Sequence, residues 1–169
     1  MKSVQIRSRE KGFSMIELLI VLSIIAALIA LITPIAMNAS QKARATEIAK
    51  NMKTLADSIE RIALTDGVDS SDKIKGVNSL SDVARDVNGS TYHIIYYVTD
   101  QVKTYDAYIV HKGDKLLEKV REVLSDASST TWSDLESRWN SYTPVYLEDS
   151  PLEESDNIIY YKISFYIYQ

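Results

Sequence analysis

The chain has 169 residues, a formal charge of −4 and no cysteine. That length suits one ordinary domain, or a small domain with one long accessory helix, and makes two folded domains unexpected. The acidic balance gives no support for nucleic-acid binding, which needs a basic footprint, and the lack of cysteine excludes disulfides and thiolate metal sites, leaving packing to hold the fold.

The first twelve residues, Met1 to Gly12, carry Lys2, Arg7, Arg9 and Lys11 against a single acid, Glu10. Behind this basic leader, Leu18 to Met37 is an uncharged run of twenty residues, about the length a helix needs to cross a bilayer core of roughly 30 Å. A secretory signal peptide would place a small-x-small cleavage site after a shorter apolar segment. Pro34, Ala36, Met37 and Asn38 offer no such site, and Ala43-Arg44-Ala45 lies too far downstream.

The stronger signal precedes the apolar run, in Lys11-Gly12-Phe13-Ser14-Met15-Ile16-Glu17-Leu18. This stretch resembles the class III leader and mature N-terminus of type IV pilins and type II secretion pseudopilins. There a basic residue and Gly precede Phe, and Glu is the fifth mature residue. The resemblance implies that a prepilin peptidase cuts between Gly12 and Phe13 and that the new amine of Phe13 is methylated. It implies that the amine neutralises Glu17 of a neighbouring subunit, although the four-residue spacing also lets Phe13 and Glu17 meet within one helix. Glu17 needs some partner, because a carboxylate at membrane depth costs a few kcal/mol on insertion scales. Its place at a helix start, where the macrodipole favours an acid, accounts for it in the membrane but not among packed helices. Pro34 matches a proline of many pilins and predicts a helix break; by the resemblance, the segment Ser23 to Pro34 unwinds when subunits pack.

Beyond the span, Ile48, Met52, Leu55, Ile59 and Ile62 recur at helical spacing as one narrow apolar stripe. The helix therefore extends from about Ser14 to Leu64, with Asp66-Gly67 as its stop. Lys42, Arg44, Lys50 and Lys53 follow the span closely, so basic residues flank it on both sides; the cytoplasmic placement of the leader comes from the resemblance.

The rest predicts a mixed head. Asp66 to Asn78 is a polar loop whose Asp66, Asp69 and Asp72 lack a calcium-loop pattern. Tyr92 to Thr99 and Tyr105 to His111 are paired strands. Asp114 to Ser125 forms a helix with Leu116, Leu117, Val120, Val123 and Leu124 on one face. Thr131-Trp132-Ser133-Asp134 starts another, carrying Trp132, Leu135 and Trp139. Ile158 to Tyr168 alternates as a half-buried strand, with Ile159, Tyr161, Ile163, Phe165 and Ile167 turned towards the helix stripe and Lys162 and Ser164 outward. The acidic residues Glu148, Asp149, Glu153, Glu154 and Asp156 fit an exposed loop better than a calcium site. His93 and His111 belong to no ligand or triad pattern.

The expected fold is thus α+β and pilin-like: a long N-terminal helix, transmembrane in its first half, packed on a small antiparallel sheet with two short helices. Its segments are a cleaved leader over 1–12, a transmembrane and filament-core helix over 13–37, the helix's amphipathic second half over 38–65 and a head over 66–169. The expected function is that of a structural type IV pilus subunit, not an enzyme, without cofactor or metal. A pseudopilin of type II secretion and a membrane-anchored extracytoplasmic binding domain are the alternatives. The resemblance implies as partners identical subunits, prepilin peptidase, an assembly ATPase and an inner-membrane platform. It places the precursor in the cytoplasmic membrane and the assembled subunit in a surface pilus or a pseudopilus. The family often closes its C-terminal region with a disulfide; here that region must be held otherwise.

Overall fold

The computed structural model describes residues 12–99, 103–139, 141–147 and 151–167; the basic leader residues through Lys11, the acidic pair Glu148-Asp149 and Tyr168 lie outside them. Contacts divide the chain into two units, Met1–Ser40 and Gln41–Gln169. One helix, α1 (Met15–Asp66), belongs to both. Its end is where the sequence places it: Gly67 takes a left-handed φ of 71° and its N–H donates to the Ala63 carbonyl at 3.1 Å, the arrangement in which an unbranched residue closes a helix without a Cβ clash.

In the first unit every described residue of the helix is exposed. In the second, Ile48, Met52, Leu55 and Ile59 are buried as expected, and Ala45, Ala49, Ala56 and Ala63 are buried beside them. The apolar face is therefore broader than the large residues alone suggest. Its alanines let backbone approach closely, while Ile62 is only partly covered.

Against that face lies a five-stranded antiparallel sheet. Its strands are β1 (Tyr92–Thr99), β2 (Thr104–Lys112), β3 (Ser128–Thr131), β4 (Val145–Leu147) and β5 (Asn157–Tyr166), in the order β3-β5-β2-β1-β4. β1 and β2 form the expected pair, Tyr92 opposite His111 and Thr99 opposite Thr104, and β5 runs along the other side of β2. Because side chains alternate across a strand, Ile94, Tyr96, Tyr105, Ala107, Ile109, Ile159 and Phe165 meet the α1 stripe in one core.

The opposite face is also covered, which corrects the expectation of a half-buried C-terminal strand. Ile95, Tyr97, Tyr108, Val110 and Ile158 form a second core with Trp132, Leu135 and Trp139. Those last three residues come from α4 (Trp132–Glu136) and a 3-10 turn, Ser137–Trp139. The Thr131 hydroxyl caps α4 by accepting the Asp134 N–H at 3.3 Å, and Trp132 N–H donates to the Asp156 carbonyl at 2.9 Å. Only the half of β5 beyond Tyr160 turns Lys162 and Ser164 outward as expected.

Two further helices are short. α2 (Leu80–Val83) adds a turn the sequence reading did not include, and its Leu80 and Val83 enter the first core. α3 (Leu117–Arg121) is briefer than the expected Asp114–Ser125; Val120 and Leu124 are buried, but Val123 is 50% exposed because the chain leaves the helix before it. Within the Asp66–Asn78 loop, Val68 and Ile74 form an isolated bridge and are buried. The C-terminal region is held without a disulfide. β5 is paired on both sides at its start, Gly113 N–H donates to the Asn157 carbonyl at 2.7 Å, and Lys112 Nζ lies 2.7 Å from the Asp156 carboxylate.

Candidate functional site

At the start of α1 the sequence Ser14-Met15-Ile16-Glu17 closes on itself. The Ser14 N–H donates to Glu17 Oε2 at 2.8 Å, and the Glu17 N–H donates to Ser14 Oγ at 3.2 Å. This reciprocal capping box satisfies two backbone donors that a helix start otherwise leaves open. In the sequence Glu17 stands out for its charge and Ser14 does not, although S-x-x-E before an apolar run is the standard sign of such a box. Glu17 thus has two separable properties: its oxygen caps the helix start, and its charge sits one turn from Phe13.

Phe13 is 90% exposed, and a Cβ built on Gly12 would meet nothing within 4 Å. Crowding within the chain therefore does not explain a glycine at position 12. Four residues separate Phe13 from Glu17, about one helical turn.

The helix that follows is long and apolar enough to cross a membrane, with a mean hydropathy of 3.0 in its most apolar window and none of that window buried. Between Leu18 and Met37 the hydroxyl-bearing side chains are Ser23 and Thr33. Each turns its hydroxyl back onto its own helix: Ser23 Oγ donates to the Leu19 carbonyl and Thr33 Oγ1 to the Ile29 carbonyl, both at 2.7 Å. A bilayer core offers no water, and these back-bonds would keep both polar hydrogens satisfied there. Pro34 lies inside α1, where it supplies no N–H for the carbonyl one turn earlier. The segment from Ser23 to Pro34 is helical throughout in the isolated chain.

In the head, the acidic residues considered for calcium are occupied locally. Asp69 accepts the N–H groups of Ser71 and Lys73 at 2.8 and 3.0 Å, and those bonds hold its carboxyl below the ordinary carboxylate value. Asp72 lies 3.5 Å from Lys103 Nζ, and Asp156 is bonded to Lys112. Among the described residues no group of three or more His, Asp or Glu side chains is placed to hold a metal ion. His93 stands opposite Val110 and His111 opposite Tyr92 in the β1–β2 register, so the two imidazoles leave opposite faces of the sheet. His111 packs edge-on to Tyr92 at 5.0 Å, and burial pushes its pKa down. Asp106, the buried carboxylate of the head, is enclosed by Lys162 Nζ at 2.8 Å, Ser164 Oγ at 2.5 Å and the Tyr97 hydroxyl at 3.3 Å, a structural network at the sheet surface.

A helix exposed and apolar in its first part, which in its second part becomes one layer of an α+β head over an antiparallel sheet, is consistent with a pilin-like α+β fold. Residues 7–33 match the family model described as the prokaryotic N-terminal methylation motif. Over this segment the chain is similar to type IV pilins and pseudopilins, and the motif points to a structural protein rather than an enzyme. No curated protein and no solved structure matches the chain.

Proposed function

We propose that this chain is a structural subunit of a type IV pilus, cut between Gly12 and Phe13, methylated on the Phe13 amine and assembled into a helical surface filament. The single observation that carries this reading is the unburied apolar helix with one carboxylate, Glu17, a turn after Phe13. Hydrophobic burial in lipid stores such a helix. Outside lipid the helix finds an equivalent environment only among copies of itself. There a buried carboxylate without a partner is strongly destabilising, and a trimmed cationic chain end supplies the missing charge. Identical helices joined by head-to-tail contacts that do not close generate a filament. Extraction from the bilayer needs work, which the family's assembly ATPase and inner-membrane platform supply; prepilin peptidase supplies the cut.

The segments serve in turn as leader over 1–12, filament core over 13–37, connecting amphipathic helix over 38–65 and outward head over 66–169. Pro34 provides a place where the core helix opens as subunits pack.

The test combines mass spectrometry of the mature N-terminus with electron microscopy of sheared surface material. A methylated Phe13 in a filament subunit is expected. An intact leader, or a cut after Met37, replaces the filament with a membrane-anchored binding domain. A methylated Phe13 in cells without surface filaments assigns the chain to a secretion pseudopilus instead.

A further inference from the structure

The sequence contains two Asn-x-Ser triplets, Asn38-Ala39-Ser40 and Asn88-Gly89-Ser90. This is the acceptor pattern of N-glycosylation, in which the asparagine amide takes the sugar and the hydroxyl two residues on is recognised with it. So short a pattern arises often by chance. The structure separates the two copies.

Asn38 and Ser40 lie inside α1, which is helical from Met15 to Asp66. Side chains two residues apart on a helix stand about 200° apart around the axis, so one cleft cannot grip both unless the helix unwinds. Asn38 also follows directly on Met37, the last residue of the apolar run.

Asn88 to Ser90 stand instead in a turn between α2 and β1. The Asn88 carbonyl accepts the N–H groups of Thr91 and Tyr92, both at 3.0 Å, which fixes the entry into β1. Its side-chain Oδ1 accepts the Ser90 N–H at 3.0 Å and the Ser90 hydroxyl at 2.8 Å. A backbone N–H can only donate, so the amide oxygen faces Ser90 and neither bond uses Nδ2. Asn88 and Ser90 are exposed while Gly89 between them is buried. The glycine seats the turn, and the amide and the hydroxyl project from it as one unit.

Turn formation accounts for part of this. Asn-Gly is a common turn pair, and the bond from the Ser90 N–H belongs to such a turn. The hydroxyl does not, since any residue at position 90 would supply the same N–H. Asp86 adds an exposed carboxylate two residues before Asn88, where Ala36 stands two before Asn38. A transferase with a basic subsite would distinguish the triplets on that ground as well.

We infer that Asn88 is an N-glycosylation site and that Asn38 is not. The donor is an oligosaccharide carried on a lipid pyrophosphate at the outer side of the membrane. The Asn88 Nδ2 bonds to the anomeric carbon of the first sugar as the bond from that carbon to the pyrophosphate oxygen breaks. The lipid pyrophosphate leaves with the electron pair, and Nδ2 gives up one of its two protons to a base of the transferase; nothing is oxidised or reduced. The inference rests on the head lying outside the cytoplasm, which the pilus, pseudopilus and anchored-domain readings above share.

The experiment uses the full-length chain purified from the cells that make it. Trypsin cuts after Arg85 and Lys103 and releases residues 86–103 as one peptide. Mass spectrometry is expected to find a glycan on this peptide, with fragmentation placing it on Asn88, and none on Asn38. Asn88→Gln should abolish it. Ser90→Ala keeps the acceptor amide and should lower occupancy at least about tenfold, the effect of one lost hydrogen bond, while Ser90→Thr should hold it within about twofold. Thermal unfolding of each variant shows that the head still folds.

An unmodified peptide from the unaltered chain, a sugar on the Ser90 oxygen, a glycan on Asn38, or full occupancy in Ser90→Ala overturns the inference. Any of these beside a methylated Phe13 in filaments leaves the filament reading intact. A glycan on Asn88 of a chain that keeps its leader has the opposite meaning: the site stands and the filament reading fails.

Discussion

Glu17→Gln separates the two properties that the N-terminal geometry gives this side chain. Glutamine at the third helical position can still accept the Ser14 N–H that Glu17 Oε2 now accepts at 2.8 Å, so the capping box is kept and only the charge is lost. Glu17→Ala removes both, and the lost cap destabilises the helix start by about 1 kcal/mol. In the membrane the charge has no essential partner, and its removal eases burial of the helix; leader removal and membrane storage should continue in both variants. Among packed helices the Phe13 amine would be left uncompensated, at about 3–5 kcal/mol for breaking a buried pair. At 1.4 kcal/mol per decade, that weakens each docking step by roughly two to three and a half orders of magnitude. The assay compares processed subunit in membranes with subunit in sheared filaments, and uses hydrogen exchange at the Ser14 amide, the donor to Glu17 Oε2, to follow the cap. Both variants should lack filaments, with the amide protected in the glutamine variant and exposed in the alanine one. If Glu17→Gln forms filaments at the normal level and Glu17→Ala does not, the residue acts as a helix cap and the charge-pair reasoning is refuted.

Leu55→Ala removes a fully buried side chain from the helix–sheet core and should cost about 2–5 kcal/mol, lowering the head's melting point by roughly 10 °C. Leu64→Ala, on the same helix but 57% exposed, should stay within about 0.5 kcal/mol; thermal unfolding of the detergent-solubilised chain, followed by near-ultraviolet dichroism, compares them. Pro34→Ala should favour the continuous helix by up to about 3 kcal/mol, so amides between Ser23 and Ile35 should exchange more slowly in filaments of the variant than in the unaltered chain. Equal exchange would argue against opening of that segment. Acid should loosen the head, because the folded carboxyls of Asp69, Asp82 and Asp156 are held below their unfolded value of 3.8. The causes are backbone N–H bonds for the first two and, for Asp156, Lys112 foremost. Groups depressed in this way stabilise the fold above the unfolded value and cease to do so as the pH falls through the folded one, so the denaturation midpoint should be flat near neutrality and drop below pH 3.8.

Strong periodicity made the main elements legible. The α1 stripe, the two tyrosine-rich strands and the alternation in β5 each span enough residues for the period to show, and Gly67 and Thr131 marked an end and a start by local chemistry. β3 and β4 were not legible because Ser128–Thr131 has no apolar alternation and Val145–Leu147 is only three residues long; both are strands through their partners. The second core was missed because the outward face of β5 was represented by Lys162 and Ser164 alone, whereas Ile158 and Tyr160 lie on that face at the strand's start, in the core that also holds Trp132 and Leu135 of α4. At the N-terminus the charge of Glu17 drew attention away from the serine three residues before it.

The helix whose first part is long and apolar enough to cross a membrane also supplies a buried layer of the head, with Met52, Leu55 and Ile59 packed in the core it shares with the sheet and no cysteine in the chain to crosslink it. In the proposed filament, tension along this helix would reach the head as shear across a whole packed layer, with many side chains loaded in parallel. Strands of the sheet are not peeled one at a time, and a pulled subunit should yield abruptly at high force rather than by gradual fraying.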